Sequence, residues 1–449
     1  MEPPVSTTPS AAGVGAGPTR RGAPPAPVRA ARTAVFVVFA LNGIAFATWA
    51  SRLPTTRDDL GLSQAQLGLL LLCIAVGSVT ALPTAGPLAA RIGTTRLVRL
   101  ATVLGLGGLA WASFAASALH SVPLTVVGMV FMGVGIGAWD VGMNLEGALV
   151  EQHLGRAIMP AFHAGFSGGT VLSAGVGALM AWGGVPVWVH AAGVVVVSLA
   201  LLWWSSGRFL PEDGPAPGAA GAEHAASAAQ GTTADPAVTA GEPGRLSALG
   251  AWREPRTLLI GVLVLSAAFT EGTANDWMAI ALVDGYGASA AVGAVGFAVF
   301  LAAMTAARLA GQWALDRWGR VPVLRATTGL GATGALLVVF GEWLPLALVG
   351  AVLWGAGAAL GFPVGISAAA DDPRSAAVRV SVVTTIGYTA FLAGPPLLGF
   401  LGQHVGVLDA LLVVALVAVP SLLVSRVARP AAGPQPAGHE RRDAAAGTA

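Results

Sequence analysis

The chain has 449 residues, of which 55% are hydrophobic and only 10% charged, and its mean hydropathy is +0.73. A soluble domain carries about 25% charged residues, so an ordinary soluble globular protein and a disordered chain are both excluded. The 24 basic residues, all arginine, and 22 acidic residues leave a net charge of +2 scattered along the sequence, which is no footprint for nucleic acid. The single cysteine, Cys73, lies in an apolar run and allows neither an intramolecular disulfide nor a thiolate metal cluster.

In chain order, residues 1–30 are rich in Pro, Ala and Gly and lack the apolar core of a signal peptide, so they are expected to form a disordered tail. Twelve apolar segments follow, at 31–52, 64–86, 97–119, 122–147, 158–183, 186–206, 255–282, 290–313, 321–341, 344–369, 378–402 and 406–427. Each is long enough to cross about 30 Å of hydrocarbon. Residues 207–254, rich in Ala, Gly, Pro and Glu, are expected to be a flexible linker, and 428–449 a second disordered tail. The expected fold is an all-α membrane protein of twelve transmembrane helices in two pseudo-symmetric six-helix bundles, 31–206 and 255–427.

The arginines set the expected orientation. With the N-terminus inside, the cytoplasmic segments hold Arg20, Arg21, Arg29 and Arg32, then Arg91, Arg96, Arg99 and Arg156. Arg208, Arg245, Arg253 and Arg256 of the linker region follow, then Arg317, Arg320, Arg325, Arg374 and Arg379. The outer loops keep only Arg52 and Arg57. This asymmetry predicts a multi-pass protein of the cytoplasmic membrane with both termini in the cytoplasm. The halves also repeat. Ser63, Arg91, Gly93 and Arg99 match Ser289, Arg317, Gly319 and Arg325 at one offset of 226 residues. Duplicated six-helix halves with a solute site between them are the architecture of a secondary transporter.

Two loops carry a family resemblance. Residues 86–96 read GPLAARIGTTR and residues 311–320 read GQWALDRWGR. Both resemble the G-x-x-x-D-R-x-G-R loop of the major facilitator superfamily, although Ala90 replaces the family's Asp in the first copy and the leading Gly of the second is one residue early. The resemblance implies a cytoplasmic gate, here Gly86, Arg91, Gly93, Asp316, Arg317, Gly319 and Arg320, that closes when the halves rock. The segments ARLAGQWALDRWGRVPVLRA (307–326), GFPVGIS (361–367) and GYTAFLAGPPLLGF (387–400) are similar to fucose permease-type sugar:proton symporters and to related bacterial inner-membrane facilitators. Asp140 and Asn144 resemble the E-x-x-x-N element of the fourth helix in those symporters, where the acid is the proton-coupling carboxylate. Helix 1 departs from that pattern, with Ala50 and no second acid.

The chain has three asparagines, Asn42, Asn144 and Asn275, in helices 1, 4 and 7. An amide in hydrocarbon is costly without a partner, so each is expected to face the bundle interior, as a solute ligand or as helix–helix glue. The superfamily resemblance places them on a cavity lined by helices 1, 4, 7 and 10. The intramembrane acids are Asp140, Glu146, Glu271 and Asp276. A charge at the bilayer centre costs about 2.5–3.5 kcal/mol, so a functional role is the default expectation. Asp140 and Asn144 share one helix face, as do Glu271 and Asn275. Asp140 is read either as the proton carrier or as a static partner of Asn144 or His163. Glu146, nearer the cytoplasmic end, is expected to be solvated.

Asp140, Glu271 and His163 form the expected proton-coupling set. Asn42, Trp49, Asn144, Asn275, Asp276 and Trp277 form the expected solute-binding set. Asp276 is expected near the outer mouth, against Arg52 or solvent. Trp49 and Trp277, at similar depths in their halves, fit an outer gate, a stacking surface or interfacial anchors equally. Arg308 reads as an anchor rather than a ligand. Gly329, Gly331 and Gly334 match a G-x-G-x-x-G pattern inside a helix, with no preceding strand, and read as helix packing. No zinc-type Cys/His spacing and no phosphate-binding loop occur, so no metal, cofactor or enzymatic reaction is expected. The expected activity is secondary transport of a small organic solute with protons, by a monomer in the lipid bilayer. The alternative is an exchanger that exports an amphipathic drug or metabolite.

Overall fold

The computed structural model describes residues 25–155, 158–211, 248–372 and 375–429. Of the arginines used above for orientation, Arg20, Arg21, Arg156, Arg245 and Arg374 lie outside the described residues, as do most of the linker and both tails. Among the described residues there is no strand, and twelve helices are long and apolar enough to cross a membrane. Spans 1 to 6 are Ala26–Ala50, Gln64–Ile92, Thr94–Ser117, Val122–Leu154, Met159–Trp182 and Val187–Ser206. Spans 7 to 12 are Pro255–Tyr286, Ala290–Trp318, Arg320–Phe340, Leu344–Ala369, Ala376–Val405 and Val407–Ala428. The first begins at Ala26, inside the segment expected as tail, because Pro25 precedes it and Pro27 pre-sets its first turn. A short helix, Leu53–Leu60, follows span 1 at the end of the molecule opposite the termini, here the far end.

The internal repeat is structural. Ser63 and Ser289 both cap their helices, accepting hydrogen bonds from the N–H groups of Gln66 (3.3 Å) and Val292 (3.4 Å). Arg99 Nε donates to Ser206 Oγ at 2.8 Å, and its counterpart Arg325 Nε donates to Ser425 Oγ at 2.9 Å. Gly93 and Gly319 join spans 2 to 3 and 8 to 9 at φ 89° and 78°, a backbone region that essentially only glycine enters. Within each half small residues let helices touch. A Cβ on Gly135 would lie 2.1 Å from Gly105 N, and one on Gly357 would lie 2.1 Å from Gly331 N. Gly331 thus serves helix packing, as its place in the apolar run implied.

Span 10 is interrupted between Ala358 and Gly361. Pro363 has no N–H to give the carbonyl of Ala359, four residues earlier. Arg308 of span 8 answers that freed carbonyl, with Nε donating to it at 3.3 Å. Between the halves, span 2 crosses span 11 and span 5 crosses span 8.

Candidate functional site

A cavity of about 230 Å³ opens where spans 1, 2, 4, 5 and 11 converge. Helical spacing explains which residues reach it. Ala75, Ser78, Val79 and Leu82 lie on one face of span 2, and Ile136, Gly137 and Asp140 on one face of span 4. Asn42 and Phe46 come from span 1, Phe166 from span 5, and Tyr388 and Phe391 from span 11. Gly137 allows the approach: its Cβ would meet the Ser78 carbonyl at 2.7 Å.

Asp140 is the carboxylate in this wall. Its Oδ1 accepts from Asn144 Nδ2 at 3.3 Å, and the same amide nitrogen donates to the Asp140 carbonyl at 2.8 Å. Asn144 therefore holds Asp140 rather than facing the cavity. Asn42 lines the cavity while its Nδ2 reaches Met143 Sδ at 3.6 Å. Tyr388 lies within electrostatic reach of Asp140, and its ring is 6.2 Å from that of Phe391. Sequence reading singled out Tyr388, as a tyrosine inside a span, and passed over Ser78, Phe46, Phe166 and Phe391.

The remaining expected residues lie elsewhere. The cavity takes nothing from spans 7 or 10, contrary to the lining that the resemblance implied. The Phe391 ring lies 3.1 Å from where a Cβ on Gly272 would sit, so span 11 stands in front of span 7. Glu271 Oε2 sits 3.7 Å from Arg308 Nη2. Arg308 also acts electrostatically on His163 of the opposite half, whose ring packs edge-on to Phe39 at 5.2 Å. Glu271 and Arg308 are partly solvent-exposed in mid-span, where a charged group does not face lipid, and His163, in the second turn of span 5, is exposed. They mark the central opening on the side of the termini. Trp49 and Trp277 are buried in the core, and among the described residues neither their indole nitrogens nor the buried Asn275 Oδ1 has a hydrogen-bond partner. Asp276 does not meet Arg52. Arg52 is itself 2% exposed and donates to the Val185 carbonyl at 2.7 Å. Glu146 is not solvated: it is 1% exposed and accepts from the Leu210 N–H at 3.3 Å.

The far end is sealed. A Cβ on Gly68 would lie 2.4 Å from the Pro395 carbonyl oxygen, and one on Gly399 would lie 2.6 Å from that of Gln64. Backbone thus rests on backbone where span 2 crosses span 11. Arg57 pairs with Asp284 across the halves, and Gln64 Nε2 donates to Asp284 at 3.2 Å. Burial alone would lower the Arg57 guanidinium, but its bonds to Asp284 and Asp58 outweigh that and raise it. At the opposite end the expected gate residues make contacts within their own half. Asp316 accepts from Gln312 at 2.8 Å, and Arg320 pairs with Asp371 at 2.7 Å. Arg91 and Arg317 have no polar partner among the described residues, and Gly86 faces open space. Beside them Arg379 pairs with Glu254 at 2.7 Å. Burial alone would raise the Glu254 carboxyl, but hydrogen bonds from Arg379 and Thr257 and the nearby Arg379 and Arg256 charges bring it below its ordinary value.

Twelve spans in two repeated halves around a central cavity define a multi-pass membrane transporter. The sequence profile of the Major Facilitator Superfamily matches residues 35–314 and 260–447, and the chain belongs to that family of secondary transporters. It is 32% identical over 366 residues to the uncharacterised transporter y4wD of Sinorhizobium fredii, covering 81% of this chain and 89% of that one. It is 30% identical over 374 residues to an uncharacterised MFS-type transporter of Yersinia pestis, covering 82% and 88%. Among solved structures, a variant of the nucleoside transporter NupG aligns with TM-score 0.67 at 14% identity, covering 89% of this chain and 98% of that one. The transporter FucP in the outward conformation gives 0.58 at 14% identity, covering 88% and 98%. An inward-facing bacterial homologue of human Spinster gives 0.65 at 14% identity, covering 90% and 98%. These likenesses show the fold.

Proposed function

We propose that the protein carries a small organic solute across the cytoplasmic membrane in exchange or symport with protons, by alternating access between its halves, with Asp140 as the proton carrier. The position of Asp140 carries this reading: a carboxylate on the wall of a central cavity, held by the neutral amide of Asn144. Such an acid gains or loses its proton without breaking an ion pair. Glu271, set against Arg308, does not have that freedom. Glu271 and His163 belong to the proton path at the mouth, coupled through the Arg308 charge. Asn42 contacts solute and Asn144 positions Asp140. Asn275, Asp276, Trp49 and Trp277 would serve the second half of the site once the halves rock. Gly86, Arg91, Gly93, Asp316, Arg317, Gly319 and Arg320 form the gate of the open end.

The arginine-rich end is assigned to the cytoplasm, so the state described is inward-open. The sealed far end and the exposed residues at the end of the termini fit this state. One chain holds a complete pathway, which fits a monomer. A proton moving down 100 mV supplies about 2.3 kcal/mol, roughly 50-fold accumulation.

The test is external pH in a lightly buffered suspension of de-energised cells making the protein, with candidate solutes pulsed in. Solute-dependent alkalinisation means symport and acidification means exchange. Either is expected to vanish in Asp140→Asn. A pH response that survives the substitution would remove Asp140 from the role.

A further inference from the structure

In a largely apolar cavity, the few polar groups offer a ligand more acceptors than donors. The acceptors begin with the Asp140 carboxylate and the Asn42 Oδ1. Two wall residues also have backbone carbonyls that lack their helical donor. Pro83 and Pro395 lie four residues after Val79 and Phe391, both wall residues, and neither proline has the N–H that an intact helix would give those carbonyls. Freed carbonyls at membrane depth are tolerated where they are buried in protein or line a cavity. The amide donors are directed elsewhere, Asn42 Nδ2 to Met143 Sδ and Asn144 Nδ2 to Asp140, which leaves the hydroxyls of Ser78 and Tyr388, each able to donate or accept, as the side-chain donors of the wall. No arginine or histidine stands in the wall. The rest of the lining includes the aromatic rings of Phe46, Phe166, Tyr388 and Phe391.

An ammonium group has donors only, and a cation is drawn to a carboxylate and to ring faces. A carboxylate or phosphate solute would meet Asp140 with no cation to receive it. A free sugar brings as many acceptors as donors and would leave its acceptors short of partners. We infer that the site takes a small organic ammonium ion with an apolar body, its nitrogen on Asp140 and the Val79 and Phe391 carbonyls and its body against the rings. This rests on the proposed transport reading only for the place of Asp140. One carboxylate cannot hold a proton and pair with an ammonium ion together. Binding to protonated Asp140 therefore forms the carboxylate–ammonium pair and passes the carboxyl proton to water, with charge balanced. Transport is then exchange, cation against proton.

The test uses the purified full-length protein and three probes of one shape: phenethylammonium, 2-phenylethanol and phenylacetate. Calorimetry in two buffers of different ionisation enthalpy reads affinity and proton release together. Phenethylammonium should bind about tenfold or more tighter than either analogue, release protons, and lose this preference in Asp140→Asn. Phe391→Leu keeps the carboxylate and should cost about threefold in cation affinity alone, which holds the test open if Asp140→Asn does not fold. Equal or tighter binding of the alcohol or the acid overturns the inference, as does no binding of any probe. Tight cation binding without proton release overturns the exchange. If the alcohol binds and moves protons through Asp140, the cation assignment fails while the transport reading stands.

Discussion

The two ends of the molecule are built by different means. At the far end the halves meet backbone to backbone through Gly68, Pro395 and Gly399, reinforced by Arg57 and Asp284. At the end of the termini the conspicuous loops keep to themselves: Asp316 bonds Gln312, Arg320 bonds Asp371, and Arg91 and Arg317 stand exposed. A seal made of shape is hard to weaken by salt or pH, whereas charged loops can trade partners and are screened by salt. The positions most conspicuous in the sequence are therefore the idle ones in this state, and the working seal is made of residues with little chemistry.

The largest effect should come from breaking the shape. Gly68→Leu forces a side chain into the Pro395 carbonyl and costs the sealed state about 3 kcal/mol, on the order of 150-fold in the conformational equilibrium. A cysteine at Ser78, in a Cys73→Ser background, should then be labelled from the far side by an impermeant thiol reagent. Unchanged labelling would mean that the seal lies elsewhere. Next comes the turn between spans 2 and 3. Gly93→Ala places a Cβ at φ 89° and should cost about 2 kcal/mol of stability. Gly86→Ala, in open space, should leave the thermal midpoint where it is. Equal shifts in the two variants would show that the loop tolerates any residue at 93.

Removing charge from the seal should do less. Arg57→Gln is expected to shift the equilibrium by at most about fivefold, since a partly exposed pair contributes up to about 1 kcal/mol. The swap Arg57→Asp with Asp284→Arg should restore it, read by the same labelling. The smallest effect belongs to Glu254 at the open end. Its folded carboxyl lies below the ordinary 4.5, so its contribution is full above that value and is lost as pH falls through the folded one. The stability gap between wild type and Glu254→Gln should therefore hold near neutral pH and close in acid. A gap that widened on acidification would reverse the sign assigned here.

The fold was legible because each span needs only length and apolar content, and because the 226-residue offset survives at Ser63, Gly93 and Arg99. Asp140 and Asn144 were legible as a pair because four residues set one helix face. The partner of Arg57 was not, because Asp284 lies 227 residues away and only the packing of the halves joins them. The cavity's aromatic wall was hidden too, since a ring facing a cavity and a ring facing lipid look alike in an apolar run. Arg308 did carry a signal, a guanidinium inside a span. Its tie to the carbonyl freed by Pro363 depends on spans 8 and 10 packing together.

The most direct test is transport by the purified protein in liposomes under an imposed pH gradient, once a driving solute is in hand. Wild type should accumulate or expel solute with the gradient. Asp140→Asn should lose that response while still exchanging labelled for unlabelled solute, if the solute pairs with other groups, or should lose both if it is a cation held by Asp140. Gradient-driven transport of wild-type size in Asp140→Asn would contradict the assignment of the proton to this residue.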